Sequence, residues 1–308
     1  MSFCRVLTLL VALLALSGLA PASALAKVKV VATLPDLAAV AREVGGPDAD
    51  VDVLAYPSQD PHFVDARPHL VIKLNRANLL VLAGLQLETG WLPTLLTGAR
   101  NGRIQVGSPG YLDASTVVPL KQVPAGQIDR SMGDIHPGGN PHYMTDPRNG
   151  ARVAGAIAQR LAALDPAHAG AYQARAKAFQ ARANALGAAQ AKRFATLSAN
   201  RRQVVTYHQS LIYLLEWLGL KQITTIEPKP GIPPAPQHVA AVLGQMRAAG
   251  VEVVVQEEYF PAAAGRLLAD KAKARLVVIP GGTDFEKGET YLQHIQDMAD
   301  KLWAGFQR

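Results

Sequence analysis

Residues 165–197 read DPAHAGAYQARAKAFQARANALGAAQAKRFATL. Asp165 followed by Pro166 is typical of a helix N-cap with proline at the first helical position. Ala, Gln, Arg and Lys dominate the rest, and all four are strong helix formers. The stretch therefore predicts a helix from about Ala167 to Leu197, roughly 45 Å long at about 1.5 Å per residue. Such a rod would connect the two halves of the chain stiffly.

On both sides of this helix, short β-branched runs alternate with helical stretches, which is typical of βα units and a parallel sheet. Each half has four strand candidates, and helix candidates separate them. The strand candidates are Val28–Val31, Val51–Ala55, Leu79–Ala83 and Ile104–Val106, then Gln203–Tyr207, Gln222–Ile226, Val251–Gln256 and Leu276–Ile279. The helix candidates lie near 36–44, 66–77, 87–98, 210–219, 236–249, 262–272 and 289–306.

This alternation predicts an α/β fold of two Rossmann-like lobes, each with a four-stranded, mainly parallel sheet, joined by a long rigid α-helix. We expect an N-terminal lobe over residues 27–164, the connecting helix over 165–198 and a C-terminal lobe over 199–308. Two lobes with one stiff connection favour a protein that binds its ligand in the cleft between them.

The first 26 residues have the pattern of a secretory signal peptide. Arg5 precedes an apolar run from Val6 to Leu16, and Ala24-Leu25-Ala26 resembles a cleavage site before Lys27. The run of about eleven residues is too short to span a bilayer. We therefore expect export to the periplasm. Cys4 lies before the run and not at the cleavage site, which argues against a lipid anchor.

The remaining chain, residues 27–308, contains no cysteine, so disulfides and thiolate metal sites are excluded there. Any transition metal would be bound by His, Asp and Glu. Without Arg5 this part has 30 basic and 24 acidic residues, a net charge of +6, spread along the chain without a basic block. We therefore do not expect nucleic-acid binding.

Three of the eight histidines stand in special positions. His62 and His142 each follow a proline, and His208 directly follows a predicted strand. Proline fixes its own backbone and restricts the residue before it, so these loops present imidazole stiffly. Ligands of open α/β sheets bind beyond the carboxyl ends of the strands. Three such imidazoles would suit a borderline metal such as Zn²⁺, although each could instead be a loop or capping histidine.

The other histidines predict less. His69, His168, His238 and His294 lie in or near predicted helices, and we expect them at the surface. His136 lies six residues before His142, and we expect it to have a loop role, with a role as an accessory metal ligand as the alternative.

Four motifs in order resemble those of the periplasmic zinc- and manganese-binding solute-binding proteins of metal ABC importers (cluster A-I). They are Asp60-Pro61-His62, Gly139-Asn140-Pro141-His142-Tyr143 with Asp146-Pro147, Thr206-Tyr207-His208, and Glu227–Pro234. The resemblance implies two α/β lobes, a long connecting helix and one metal buried between the lobes, bound by His62, His142 and His208. The third ligand is His in zinc-binding members and often Glu in manganese-binding members, so His208 favours zinc.

The chain departs from the family pattern in two places. Residues 112–135 contain no histidine, whereas many zinc-binding members have a His-rich loop there. The usual fourth ligand is an Asp after the last strand. Asp284, a few residues late, is our candidate, with Glu257, Glu258 or a water as alternatives. The Pro-rich segment Glu227–Pro234 favours a role in shaping the cleft rim or in docking the transporter.

The resemblance predicts a non-enzymatic, monomeric receptor that captures Zn²⁺ in the periplasm and delivers it to an inner-membrane ABC permease. A manganese or iron receptor of the same fold is one alternative. A secreted three-histidine zinc hydrolase is another, against which stands the absence of His-x-His and His-Glu-x-x-His patterns. An adhesin is a third, and the lack of a lipid-anchor cysteine argues against it.

Overall fold

The computed structural model describes residues 26–126, 133 and 135–307. These residues form two four-stranded sheets in which every pairing of neighbouring strands is parallel. The strand order is β2-β1-β3-β4 in the N-terminal lobe and β6-β5-β7-β8 in the C-terminal lobe. The strands are β1 (Val28–Ala32), β2 (Ala49–Val53), β3 (Leu79–Leu82), β4 (Tyr111–Asp113), β5 (Gln203–Thr206), β6 (Lys221–Thr225), β7 (Val253–Glu257) and β8 (Arg275–Ile279).

The helices cover the sheets and connect successive strands. Several begin with proline in the first turn, where its missing N–H costs no helical hydrogen bond. Their bounds are α1 (Pro35–Gly45), α2 (Pro68–Arg76), α3 (Leu92–Ala99), α4 (Pro147–Leu164), α5 (Ala169–Phe194), α6 (Ile212–Trp217), α7 (Pro236–Ala249), α8 (Ala262–Ala272) and α9 (Tyr291–Phe306).

The predicted two-lobe α/β fold and the long helix are confirmed. Helix α5 has 26 residues, about 39 Å at 1.5 Å per residue, and it buries one stripe of side chains that includes Tyr172, Phe179 and Phe194. The predicted lobe boundaries at 164/165 and 198/199 stay predictions, while α4 ends at Leu164 and β5 begins at Gln203.

Two local predictions were wrong or incomplete. The run Ile104–Val106 is not a strand: Ile104 ends a short 3-10 helix and Val106 is exposed, while the fourth strand is Tyr111–Asp113. The 18-residue helix α4 was not predicted. It packs antiparallel to α5 and makes the connection between the lobes a helix pair, not a single rod.

The two lobes share a continuous hydrophobic core. One cluster of buried side chains runs from β1 and α1 through the α4–α5 pair to α6, β7 and α9. Direct hydrogen bonds reinforce it: Thr283 donates to Asp36 Oδ1 from its backbone N at 2.9 Å and from Oγ1 at 2.6 Å, and Tyr291 OH donates to Met144 O at 2.6 Å. The relative position of the lobes is therefore fixed by buried contacts as well as by α5.

The strand orders place a topological switch point in each lobe, between β1 and β3 and between β5 and β7. Ligands of open α/β sheets bind at such points, outside the carboxyl ends of the strands. In the C-terminal lobe, His208 follows β5 by two residues and Glu257 is the last residue of β7. In the N-terminal lobe, the buried Glu88 carboxylate accepts hydrogen bonds from Thr33 after β1 and from the Ala83 and Gly84 backbone after β3.

Candidate metal centre

His62 lies in the loop between β2 and α2, and Asp60 fixes its orientation. The Asp60 Oδ1 atom accepts a hydrogen bond from the His62 backbone N at 3.0 Å and lies 2.7 Å from its ring Nδ1. Burial would raise the pKa of Asp60, but its hydrogen bonds and charge interaction with His62 outweigh burial and lower it. An ionised carboxylate only accepts hydrogen bonds, so the His62 proton is held on Nδ1 and Nε2 keeps its lone pair.

His208 is the ligand candidate from the C-terminal lobe, and it has the same kind of support. Its Nδ1 lies 2.8 Å from Glu227 Oε2, and both side chains are buried. The same oxygen accepts a hydrogen bond from Gly231 N at 3.3 Å. The Glu227–Pro234 loop thus orients a site histidine, a role that the sequence analysis missed. A carboxylate directly behind an imidazole is the arrangement usual for metal-ligating histidines.

His142 is held by its own loop. Asn140 Oδ1 accepts a hydrogen bond from the His142 backbone N at 3.0 Å, and Asn140 Nδ2 donates to Gln209 O of the other lobe at 2.9 Å. The His142 Nε2 atom is buried and has no hydrogen-bond partner among the described residues. Burial, followed by the nearby His62, His208 and His136, lowers the pKa of His142 well below its usual value. The ring is therefore neutral and able to donate its lone pair.

The structure brings the three predicted histidines together. The His62 ring centroid is 5.2 Å from that of His142 and 5.7 Å from that of His208, and the last two are 5.6 Å apart. His136 joins them, with its ring centroid 5.3 Å from that of His62. Burial, with the charge of His62 next, lowers the pKa of His136 to about 4. The sequence analysis favoured a loop role for this residue.

The three carboxylate candidates occupy different places. Asp284 is 39% exposed at its side chain and pairs with Lys287 Nζ at 2.7 Å. Together with the exposed Glu258 it lines an open cavity to which none of the four histidines contributes. Glu257 is buried, its Oε2 atom has no hydrogen-bond partner among the described residues, and it lines a small cavity together with His142. Burial raises the pKa of Glu257.

Among the remaining histidines, His69 is exposed on α2, as expected, whereas His294 is fully buried in α9. Two predicted segments lie wholly or partly outside the described residues. They are the signal segment up to residue 25 and, in the histidine-free stretch 112–135, residues 127–132 and 134.

In the part of the chain that the structure covers, no helix combines the length and apolar character needed to cross a membrane.

Half-buried and buried imidazoles converge from two lobes, and carboxylates back two of them. They define a candidate transition-metal site in an interlobe cleft. The model of the family described as zinc-uptake complex component A, periplasmic (ZnuA), matches residues 30–305. The chain belongs to this family, the extracytoplasmic metal-binding components of ABC transporters, which are solute-binding proteins and not enzymes.

Known proteins support this membership. The iron-binding protein YfeA of Yersinia pestis is 25% identical over 290 residues, which is 93% of this chain and 88% of YfeA. The manganese transporter substrate-binding lipoprotein PsaA of Streptococcus pneumoniae is 26% identical over 243 residues, 78% of this chain and 75% of PsaA. The match to a crystal structure of ZnuA covers 91% of this chain and the whole ZnuA chain, with a TM-score of 0.75 and 22% identity. This likeness supports the fold.

Proposed function

We propose that this chain captures Zn²⁺ in the periplasm, as a monomer, and delivers it to the permease of an inner-membrane ABC importer. His62 and His142 from the N-terminal lobe and His208 from the C-terminal lobe would bind the ion through Nε2. The observation that carries the proposal is the convergence of these rings, two of which hold their Nδ1 against Asp60 and Glu227. Both carboxylates would raise the basicity of the ligand nitrogen.

The type of ligand supports zinc as the cargo. Imidazole suits Zn²⁺ and other borderline metals, whereas carboxylate, carbonyl and water ligands suit Mn²⁺. Asp60 and Glu227 support the histidines from behind, and Asp284 lines another cavity. Glu257 lines a cavity together with His142, but its burial raises its pKa and so disfavours the ionised form that would bind a metal. Because relatives of the chain are named for iron and for manganese, Fe²⁺ and Mn²⁺ are the alternatives that an experiment must separate from Zn²⁺.

Capture would release no proton from His142, because burial lowers its pKa well below the usual value and keeps the ring neutral. Binding would weaken in acid because protons compete with the metal ion for the imidazole nitrogens. The unperturbed pKa of imidazole is about 6.5. Release would require the permease to separate imidazoles that come from different lobes. Since the lobes share a core and several buried hydrogen bonds, we expect release to distort the loops that carry the histidines, without a wide opening of the cleft.

Competition titrations of the metal-free protein against a chromophoric chelator test the proposal, with Zn²⁺, Mn²⁺ and, without oxygen, Fe²⁺. We expect one Zn²⁺ per chain and the tightest binding for Zn²⁺. Replacing His62, His142 or His208 by Ala should weaken Zn²⁺ binding by about 100-fold or more. His69→Ala, at an exposed histidine of α2, should bind like the wild type. Unchanged affinity in all three site variants would exclude this site, and tighter Mn²⁺ than Zn²⁺ binding would exclude zinc selectivity.

A further inference from the structure

The ring of His136 lies within contact distance of the predicted metal ligand His62. Its Nε2 atom lies 3.2 Å from Nε2 of His62. Ligand nitrogens of His62, His136 and His142 all lie within 4.8 Å of one another. His208 is not part of this group, and its ring centroid lies 5.7 Å from that of His62 and 5.6 Å from that of His142. This group satisfies the spacing of a metal site without any carboxylate.

The spacing fits a tetrahedral zinc ion. Zn–N distances of about 2.0–2.1 Å and tetrahedral angles place two ligand nitrogens about 3.3 Å apart. The separation between the Nε2 atoms of His62 and His136 is close to that value. An ion between them would bring His142, whose buried Nε2 has no other partner among the described residues, into the same coordination sphere.

The other sides of the two rings are already occupied. Asp60 holds the proton of His62 on Nδ1, so the His62 Nε2 presents a lone pair. Interaction with the Leu85 backbone is among the causes that act on the pKa of His136, in the raising direction. Because Nε2 faces His62, Nδ1 is the nitrogen available to the Leu85 backbone. A backbone carbonyl behind Nδ1 would leave a second lone pair facing the first. Two lone pairs on nitrogens 3.2 Å apart repel each other unless a ring proton or a metal ion lies between them, and a metal ion leaves both Nδ1 hydrogen bonds in place.

The backbone that supports His136 is itself unusual. Leu85 and Gln86 have φ angles of 52° and 67°, in the left-handed region that non-glycine residues rarely adopt. A Cβ added at Gly138 would lie 2.9 Å from Leu85 Cδ2, so the two segments are in close contact. Strained backbone persists where the surrounding structure holds it and is concentrated at binding sites. Here it fixes the loop against which His136 rests.

We propose that His136 is the fourth metal ligand, so that the cargo ion is held by four imidazoles, those of His62, His136, His142 and His208. This inference rests on the proposed function and deepens it. A site of four neutral nitrogens has no oxygen ligand and no open position for water, which favours Zn²⁺ over Mn²⁺ more strongly than a site with a carboxylate would. Asp284, which pairs with Lys287 in another cavity, is then not a ligand.

The test compares His136→Ala with His142→Ala, Asp284→Ala and the surface control His69→Ala. Zn²⁺ affinity is measured by chelator competition. The Co²⁺-loaded forms give visible spectra whose intensity distinguishes four-coordinate from five-coordinate ions, and X-ray absorption at the zinc edge counts imidazoles. Thermal unfolding of each metal-free variant establishes that it is folded, and His136→Asn serves as a second, polar replacement of the ligand.

We expect four imidazoles on zinc in the wild type and three plus an oxygen in both His136 variants. Their Zn²⁺ affinity should fall by about 10- to 1000-fold, with preference for Zn²⁺ over Mn²⁺ reduced, while Asp284→Ala and His69→Ala keep wild-type values. If His136→Ala keeps its affinity and spectrum while His142→Ala loses both, His136 is not a ligand although the proposed function stands. A loss with Asp284→Ala and not with His136→Ala would likewise overturn the proposal. A wild type that binds no zinc would refute the proposed function itself.

Discussion

Replacing Glu227 by Gln tests how much the Pro-rich loop contributes to metal binding. Glu227 lies behind His208, with Oε2 2.8 Å from Nδ1, and it does not belong to the proposed ligand set. The amide has nearly the same shape as the carboxylate but carries no charge. If its NH₂ group faced the ring, it would donate to Nδ1 and move the ring proton to Nε2, which could then no longer bind a metal.

The magnitude follows from the burial of the pair. Removing the group behind a ligating histidine typically costs about 10- to 100-fold in metal affinity, which is about 1.4–2.7 kcal/mol. The side chains of His208 and Glu227 are 8% and 9% exposed, against 12% and 26% for His62 and Asp60. Since solvent weakens such charge interactions, we expect Glu227→Gln to lose more affinity than Asp60→Asn. Gly231 N donates to the same oxygen that faces His208, so it would keep the amide oxygen towards the ring and moderate the loss.

The assay is a Zn²⁺ competition titration of both variants at pH 7. Asp165→Asn is the matched control, because Asp165 Oδ2 lies 2.7 Å from His168 Nδ1 in an equivalent pair that involves no site residue. We expect wild-type affinity for this control. Equal affinity of Glu227→Gln and the wild type would refute the view that Glu227 tunes the site. A larger loss for Asp60→Asn would refute the burial argument.

Three further predictions concern pH and the contact between the lobes. Burial lowers the pKa of His136 to about 4, below the unfolded value of about 6.5, so the unfolded chain binds the extra proton first and stability falls as pH drops from 6.5 towards 4. Over this window the metal-free wild type should therefore lose more stability than His136→Ala, as measured by thermal unfolding. Parallel curves of stability against pH would contradict the lowered pKa. Tyr291→Phe removes the hydroxyl that donates to Met144 O and should lower the free energy of unfolding by about 1–3 kcal/mol in denaturant titrations. An unchanged free energy would show that the hydrogen bond between α9 and Met144 is dispensable. Gly150→Ala would place a Cβ 2.4 Å from Tyr291 Cε1 and should lower the free energy of unfolding by about 1–3 kcal/mol in the same titrations. An unchanged free energy would mean that the interface between α4 and α9 adjusts to the added methyl group without cost.

The sequence predicted most of the fold because central strands such as β3, β5 and β7 are buried on both faces and therefore read as continuous apolar runs. The prediction failed at the edge of the N-terminal sheet, where β4 has three residues and ends in Asp113, while the more apolar Ile104–Val106 lies in a loop between Gly102 and Gly107. A short edge strand pairs on one side only and needs little hydrophobic periodicity. Helix α4 was overlooked although Asp146 caps it and Pro147 begins it.

The site was predictable only in part, because a histidine reveals its role through its neighbours in space. The prolines before His62 and His142 and the strand before His208 were visible in the sequence. The partner of His208, Glu227, is 19 residues away, and the approach of His136 to His62 spans 74 residues. Such pairings depend on the positions of loops from different strands, which residue spacing does not encode. Asp284 was chosen by motif position, and its pairing with Lys287 was not foreseen.

The most direct test of the central claim is a crystal structure of the Zn²⁺-loaded protein with anomalous diffraction measured on both sides of the zinc edge. The account predicts a single strong anomalous peak in the interlobe cleft, about 2.0–2.1 Å from the Nε2 atoms of His62, His142 and His208. It further predicts that Nε2 of His136, not a carboxylate of Asp284, completes the tetrahedron. A peak elsewhere, for instance in the acidic cavity lined by Asp284 and Glu258, with the histidine cleft empty, would contradict the account.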